Sequence, residues 1–144
     1  MIKTFLTCIA ALAASATLSA CMTPGASSGN AGEVPASRIF IKEMTVPAAG
    51  LNEVRVIRDP GMRGGNNLME VSVNYVALAD LQPGESFSAW LPNGNYTFTI
   101  KPKPNPQSLI APRDLNLALR DGRKRTVRVG GNMYGTILEE IGAK

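Results

Sequence analysis

The fold class predicted by the sequence is an all-β, antiparallel sandwich of about seven to eight strands. Three observations predict it. After residue 37, apolar and polar residues alternate with a period of two through run after run, turn residues separate the runs at short intervals, and no stretch carries an apolar stripe at helical spacing. Successive side chains of a strand point to opposite faces, so this alternation describes strands with one face buried.

Taken in order, Ile39-Phe40-Ile41 between Arg38 and Lys42 predicts a first short strand. The run 53–58 alternates through Val54 and Val56 and stops at Asp59-Pro60-Gly61. Met69, Val71, Val73 and Tyr75 share one face, opposite Glu70, Ser72 and Asn74. Phe87, Ala89 and Leu91 alternate with Ser86, Ser88 and Trp90, and Tyr96, Phe98 and Ile100 with Thr97, Thr99 and Lys101. Leu115, Leu117 and Leu119 oppose Asn116 and Ala118, Val127 and Val129 oppose Arg128, and Ile137, Leu138 and Ile141 close the series. Residues 76–81 and 138–141 have room for a helical turn, but neither is long enough to stand alone as a helix.

Between these runs lie Asp59-Pro60-Gly61, Gln82-Pro83-Gly84, Pro92-Asn93-Gly94 and Asp121-Gly122. Glycine supplies the positive φ such turns need, and proline presets the position before it. Pro92-Asn93-Gly94 and Asp121-Gly122 are expected to close hairpins. The expected core comprises Val71, Val73, Leu91, Tyr96, Phe98, Ile100, Leu117 and Val127.

The chain begins differently. Met1-Ile2-Lys3 is a short basic start, residues 4–20 are uncharged and rich in Ala and Leu, and the run ends Leu18-Ser19-Ala20-Cys21. A basic start, an apolar stretch and small residues form the layout of a secretory signal. The apolar run is shorter than the ~20 residues a membrane-spanning helix needs. Leu18-Ser19-Ala20-Cys21 resembles the lipobox of bacterial lipoproteins. The resemblance implies removal of residues 1–20, a diacylglyceryl group on the Cys21 sulfur, and a lipid-anchored place in the cell envelope. Met22, where Asp would signal retention in the inner membrane, points by the same resemblance to the outer membrane of a Gram-negative bacterium. Cys8 would leave with the signal, so no thiol remains in the mature domain to form a disulfide.

Residues 21–37 are dominated by Gly, Ser, Ala and Pro. Such a stretch buries too little to offset its ordering entropy and reads as a flexible tether with a reach of roughly 20–25 Å. The expected organisation is therefore a signal peptide over 1–20, a tether over 21–37 and a sandwich domain over 38–144.

Within the domain, residues 71–87 and the following Ala89-Trp90-Leu91-Pro92-Asn93-Gly94-Asn95-Tyr96-Thr97-Phe98-Thr99-Ile100 resemble small bacterial lipoproteins of the DUF2846 and PEGA-like type. The resemblance covers about residues 38–100 and implies a β-sandwich but no enzymatic activity; the sandwich expected from the strand pattern is Ig-like or transthyretin-like. Tyr75-Val76 departs from the family pattern, which turns there with Gly and a basic residue.

Chemistry-bearing residues are sparse. The 144 residues include no histidine, which removes the commonest general base and zinc ligand. Glu139 and Glu140 are adjacent on an expected strand, so they point to opposite faces and cannot act on one substrate. Ser86 and Ser88 have no histidine to activate them. The Gly-rich segment 61–67 lacks the Gly-Lys-Ser/Thr ending of a phosphate loop and reads as an inter-strand loop. Residues 102–106 read as an extended proline-rich linker. No catalytic residue, metal ligand or cofactor is expected.

Arg120, Arg123, Lys124, Arg125 and Arg128 gather around Asp121-Gly122. One reading is a set of charges that keeps a strand edge from aggregating. The other is an anion-binding patch for lipid headgroups, lipopolysaccharide or an acidic protein surface. Nucleic acid is not expected, since no aromatic residue interleaves the cations. The sequence thus predicts a non-enzymatic envelope lipoprotein, held to the membrane through its N-terminal lipid and binding an envelope protein or anionic glycolipid. The alternative is a structural subunit of an envelope or secretion-system assembly.

Overall fold

The computed structural model describes residues 31–61, 67–104, 110–132 and 135–142. Cys21 and the whole expected signal therefore lie outside the described residues, as do Tyr134 and most of the Gly-rich segment. The fold is an all-β sandwich of nine strands among the described residues. They are β1 (Gly32–Glu33), β2 (Asn52–Arg58), β3 (Leu68–Val73), β4 (Val76–Leu81), β5 (Glu85–Leu91), β6 (Gly94–Lys103), β7 (Arg113–Leu119), β8 (Arg125–Asn132) and β9 (Gly135–Ile141). One sheet has the order β1-β5-β2-β8-β9 and the other β4-β3-β6-β7. Five of the seven ladders are antiparallel, while β1–β5 and β2–β8 are parallel.

The alternation does the work the sequence assigned to it. Val54, Val56, Phe87, Ala89, Leu91, Val127 and Val129 from the first sheet meet Met69, Val71, Val73, Phe98, Ile100, Leu117 and Leu119 from the second. Tyr96 is only partly buried and packs against this cluster from the rim.

Four local expectations are corrected. Residues 38–42 form no strand: 3-10 turns at Ala36–Arg38 and Lys42–Thr45 flank Ile39, which makes a single bridge to Ala79. Ile39, Ile41 and Met44 pack on the core, so this segment closes the side of the sandwich bordered by β4 and β5. An irregular closure needs apolar residues but no period of two, which is why it mimicked a strand. Residues 76–81 and 138–141 carry no helical turn and belong to β4 and β9. Tyr75 does not follow Val73 into the core; it sits exposed in the β3–β4 turn.

The fourth correction concerns the turns. Pro92-Asn93-Gly94 and Asp121-Gly122 close no hairpins; each carries the chain from one sheet to the other, as does Gln82-Pro83-Gly84. A two-residue hairpin joins β3 to β4, turned by Asn74 and Tyr75 at φ 48° and 66°. Positive φ at both positions suits the right-handed twist of paired strands.

The register gives the sandwich two distinct ends. Gly32 donates its backbone N–H to Gly84 O at 2.9 Å, so the described chain begins at the end that carries Asp59–Gly61 and Gln82–Gly84. We call this end proximal. The Asn74-Tyr75 turn, the Pro92-Asn93 link and residues 120–124 lie toward the other, distal end. Gly32 and Glu33 pair with β5 and Val34 is buried, so the folded unit already includes residues ahead of Arg38.

Candidate functional site

The five cations singled out by the sequence fall into two groups. Arg128 belongs to β8 and lies toward the proximal end, where it donates to Asp59 at 2.6 Å and to Glu139 at 2.9 Å. Arg125 begins β8 and pairs with Glu140 at 2.8 Å. Both are held by carboxylates in partly buried positions, and their charge is largely cancelled locally. For Arg128, the hydrogen bonds it donates to Asp59 outweigh the opposing effect of burial, and with those to Glu139 they push its pKa up. Glu139 and Glu140 do point to opposite faces of β9, each spent on an arginine.

Arg120, Arg123 and Lys124 form the second group, on the link from β7 to β8. Asp121 and Gly122, at φ 66° and 65°, reverse the chain there, and Arg123 N–H donates back to Arg120 O at 3.5 Å. Arg120 donates to Gly94 O at 2.8 Å, to Leu119 O at 2.7 Å and to Asn95 Oδ1 at 3.2 Å. These neutral acceptors fix the guanidinium without cancelling its charge. Arg123 is exposed and has no side-chain partner among the described residues. Lys124 pairs with Glu53 at 3.1 Å but remains 60% exposed. Beside them a shallow hollow of about 280 Å³ is lined by residues 123–126 and 140–142. Such an arrangement suits an anionic group held at the surface.

The serines are structural. Ser86 accepts from Arg55 at 2.8 Å and donates to Gly32 O, while Ser88 donates to Glu53 at 2.7 Å. Arg55 continues the network to Glu33 at 2.6 Å. On the second sheet, Glu70 accepts from Lys101 at 2.9 Å and Lys103 at 3.2 Å, and Lys103 reaches Asp80 at 3.2 Å. Among the described residues no group of three His, Cys, Asp or Glu could hold a metal ion.

Two features escaped sequence reasoning. Arg58 closes the polar end of a strand in the sequence, yet it is only 1% exposed. It projects on the same face as Val54 and Val56 and donates to Leu81 O at 2.6 Å and Asn67 O at 2.7 Å, riveting one sheet to the other. Burial lowers its pKa, opposed by the charge of Glu85. Its parity with Val54 and Val56 was the available signal. The second is Tyr75: its place after the alternating Val71 and Val73 hid the turn from the periodicity, and only the family resemblance put a turn beside it.

Compared with protein-family models and with curated proteins, the chain matches none.

Proposed function

We propose that this chain is a non-enzymatic cell-envelope lipoprotein, anchored through lipid on Cys21, whose sandwich serves as a binding module in the periplasm or at the cell surface. The observation that carries the reading is Leu18-Ser19-Ala20-Cys21 at the end of a short apolar run with a basic start. The outer membrane is the proposed site, on Met22 after the cysteine. One acyl chain holds a protein only marginally, whereas two or more anchor it stably, so a diacylglyceryl cysteine meets the physical requirement. The group Arg120, Arg123 and Lys124 supports a binding role, because two of its three charges have no carboxylate partner.

Mass spectrometry of the mature N-terminus tests the anchor. The expected product begins at a lipid-modified Cys21, and Cys21→Ala moves the protein out of the membrane fraction. A free Cys21 thiol, or a chain beginning elsewhere, overturns the reading. Purification from detergent-solubilised membranes separates the two roles: a stoichiometric complex makes the chain a subunit of an envelope assembly rather than an independent binding module.

A further inference from the structure

Tyr75 is 73% exposed and sits at φ 66°, a left-handed conformation that a residue with a bulky side chain rarely adopts. Asn74 suits the first position of this turn and is also tied to β6: its N–H donates to Thr97 O at 2.8 Å, and its Oδ1 accepts from Thr97 N–H at 2.9 Å. Glycine would be the unstrained choice at the second position. Among the described residues no hydrogen bond, ion pair or ring contact compensates for the tyrosine, and Val76 beside it is also exposed. The turn is borne on the strand next to β6, and Arg120 reaches across to Gly94 and Asn95 on that same β6. An exposed aromatic-aliphatic tip and the uncompensated cations thus share the distal part of the molecule.

The direction of the chain gives this arrangement a meaning. The described chain begins at the proximal end, while β6 alone, ten residues long, extends about 33 Å toward the distal end. Fully extended, the stretch from Cys21 to Ala31 spans at most about 35 Å. Turning the domain over, so that its distal tip meets the anchoring bilayer end-on, would require nearly all of that length.

We propose that the distal end docks an anionic membrane surface other than the one that anchors the chain. Arg120, Arg123 and Lys124 meet its headgroups, and Tyr75 inserts at its interface. This rests on the Cys21 anchor proposed above and adds the direction in which the domain faces. Cations near an anionic bilayer are each attracted by it, and tyrosine rings favour the headgroup level. Tyr75 and Val76 form a convex tip, which a fluid interface accepts without a matching pocket. An acidic protein would need one.

The test places the full chain, by its own N-terminus, in neutral phosphatidylcholine vesicles and mixes these with labelled vesicles containing phosphatidylglycerol. Capture of labelled vesicles is expected to exceed that of neutral ones about tenfold at low salt and to fall as salt shortens screening. Arg120→Ser, Arg123→Ser and Lys124→Ser together abolish it. Tyr75→Gly reduces capture severalfold while its Tm holds or rises, which a merely structural tyrosine would not do. Equal capture of neutral and anionic vesicles overturns the proposal, as does capture unchanged in the triple variant. Equal capture of neutral vesicles coated with polyglutamate also overturns it and assigns the surface to an acidic polypeptide. Incorporation is scored first, so loss of the anchor is seen separately. In that event Cys21, in a Cys8→Ser chain, is coupled to a maleimide lipid and the docking arm is run unchanged.

Discussion

At the proximal end of the sandwich Arg58 is buried and its Nη1 donates to Leu81 O of the facing sheet and to Asn67 O just ahead of β3; at the distal end Arg123 stands in solvent with no side-chain partner among the described residues. The contrast extends to their neighbours. Proximally, Arg38 grips both carboxylate oxygens of Glu85, and Arg128 is shared by Asp59 and Glu139. Distally, Arg120 is held by neutral oxygens and Lys124 by one partly exposed glutamate. Charges enclosed by protein must be paired or they destabilise the fold, whereas charges in water are free to meet a partner. The proximal network is therefore read as structural and the distal one as available for binding.

The largest expected effect sets the scale for both ends. Phe98 is fully buried at the centre of the core, so Phe98→Ala should cost roughly 3–5 kcal/mol in chemical denaturation. Thr97, its outward neighbour, bonds only Asn116 by its hydroxyl, and Thr97→Ala should cost less than about 1 kcal/mol. Equal losses would mean that the faces of β6 are reversed.

Next comes the proximal network. Glu85→Gln removes the carboxylate that serves Arg38 and the Gln82 N–H and faces the charge of Arg58; it should cost about 2–3 kcal/mol. Burial alone would raise the pKa of Glu85, but its hydrogen bonds with Arg38 and Gln82 and the nearby arginine charges hold it below 4.5. Glu70 and Glu53 are also lowered against the burial effect, Glu70 by Lys101 and Lys103, Glu53 by Ser88 and Lys124. A carboxylate lowered in the folded state contributes stability that is complete above its unfolded value and lost as pH falls through the folded one. Thermal unfolding should therefore show Tm falling as pH drops below 4.5, with a shallower fall in Glu85→Gln. An unchanged acid profile in that variant would remove Glu85 from the network.

A smaller loss is expected at Gly130. A Cβ there would lie 2.9 Å from Asp59 Oδ2, so the absence of a side chain on β8 lets the carboxylate approach the strand and reach Arg128. Gly130→Ala should cost about 1–3 kcal/mol through this crowding, measured by denaturant midpoint. A neutral substitution would show that Asp59 has room to retreat and that the proximal cluster is looser than its distances suggest.

How much of this was legible in the sequence follows from what each element requires. Strands with one face in the core must alternate, so β2, β3, β5, β6 and β7 could be read directly, and Phe98 with them. A turn's local chemistry specifies φ at two or three residues and nothing about which sheet receives the next strand. Pro92-Asn93-Gly94 and Asp121-Gly122 were therefore visible as turns and invisible as crossings between sheets. The β3–β4 hairpin failed in the opposite way, since Asn74-Tyr75 lacks the glycine that announces such a turn. The cluster of cations was legible as composition. Its division into paired Arg125 and Arg128 and available Arg120 and Arg123 was not, because their partners Asp59, Glu139, Glu140 and Gly94 arrive through the register of β2, β6, β8 and β9.

The smallest effect on stability is expected at Arg123, where the difference between the two ends is sharpest. Its backbone is fixed by the turn through Asp121 and Gly122, and its side chain contributes neither an ion pair nor buried packing. Arg123→Ser should shift stability by no more than about 0.5 kcal/mol, the ordinary range for surface changes. A loss as large as that of Glu85→Gln would show the distal charges to be structural after all and erase the contrast. The same variant should weaken salt-dependent capture of phosphatidylglycerol vesicles severalfold, since one of three headgroup contacts is gone. Arg128→Ser should do the reverse, lowering Tm by removing the guanidinium shared by Asp59 and Glu139 while leaving vesicle capture intact at temperatures where the domain stays folded. Only a molecule whose enclosed charges hold the fold and whose free charges meet a surface would give both results.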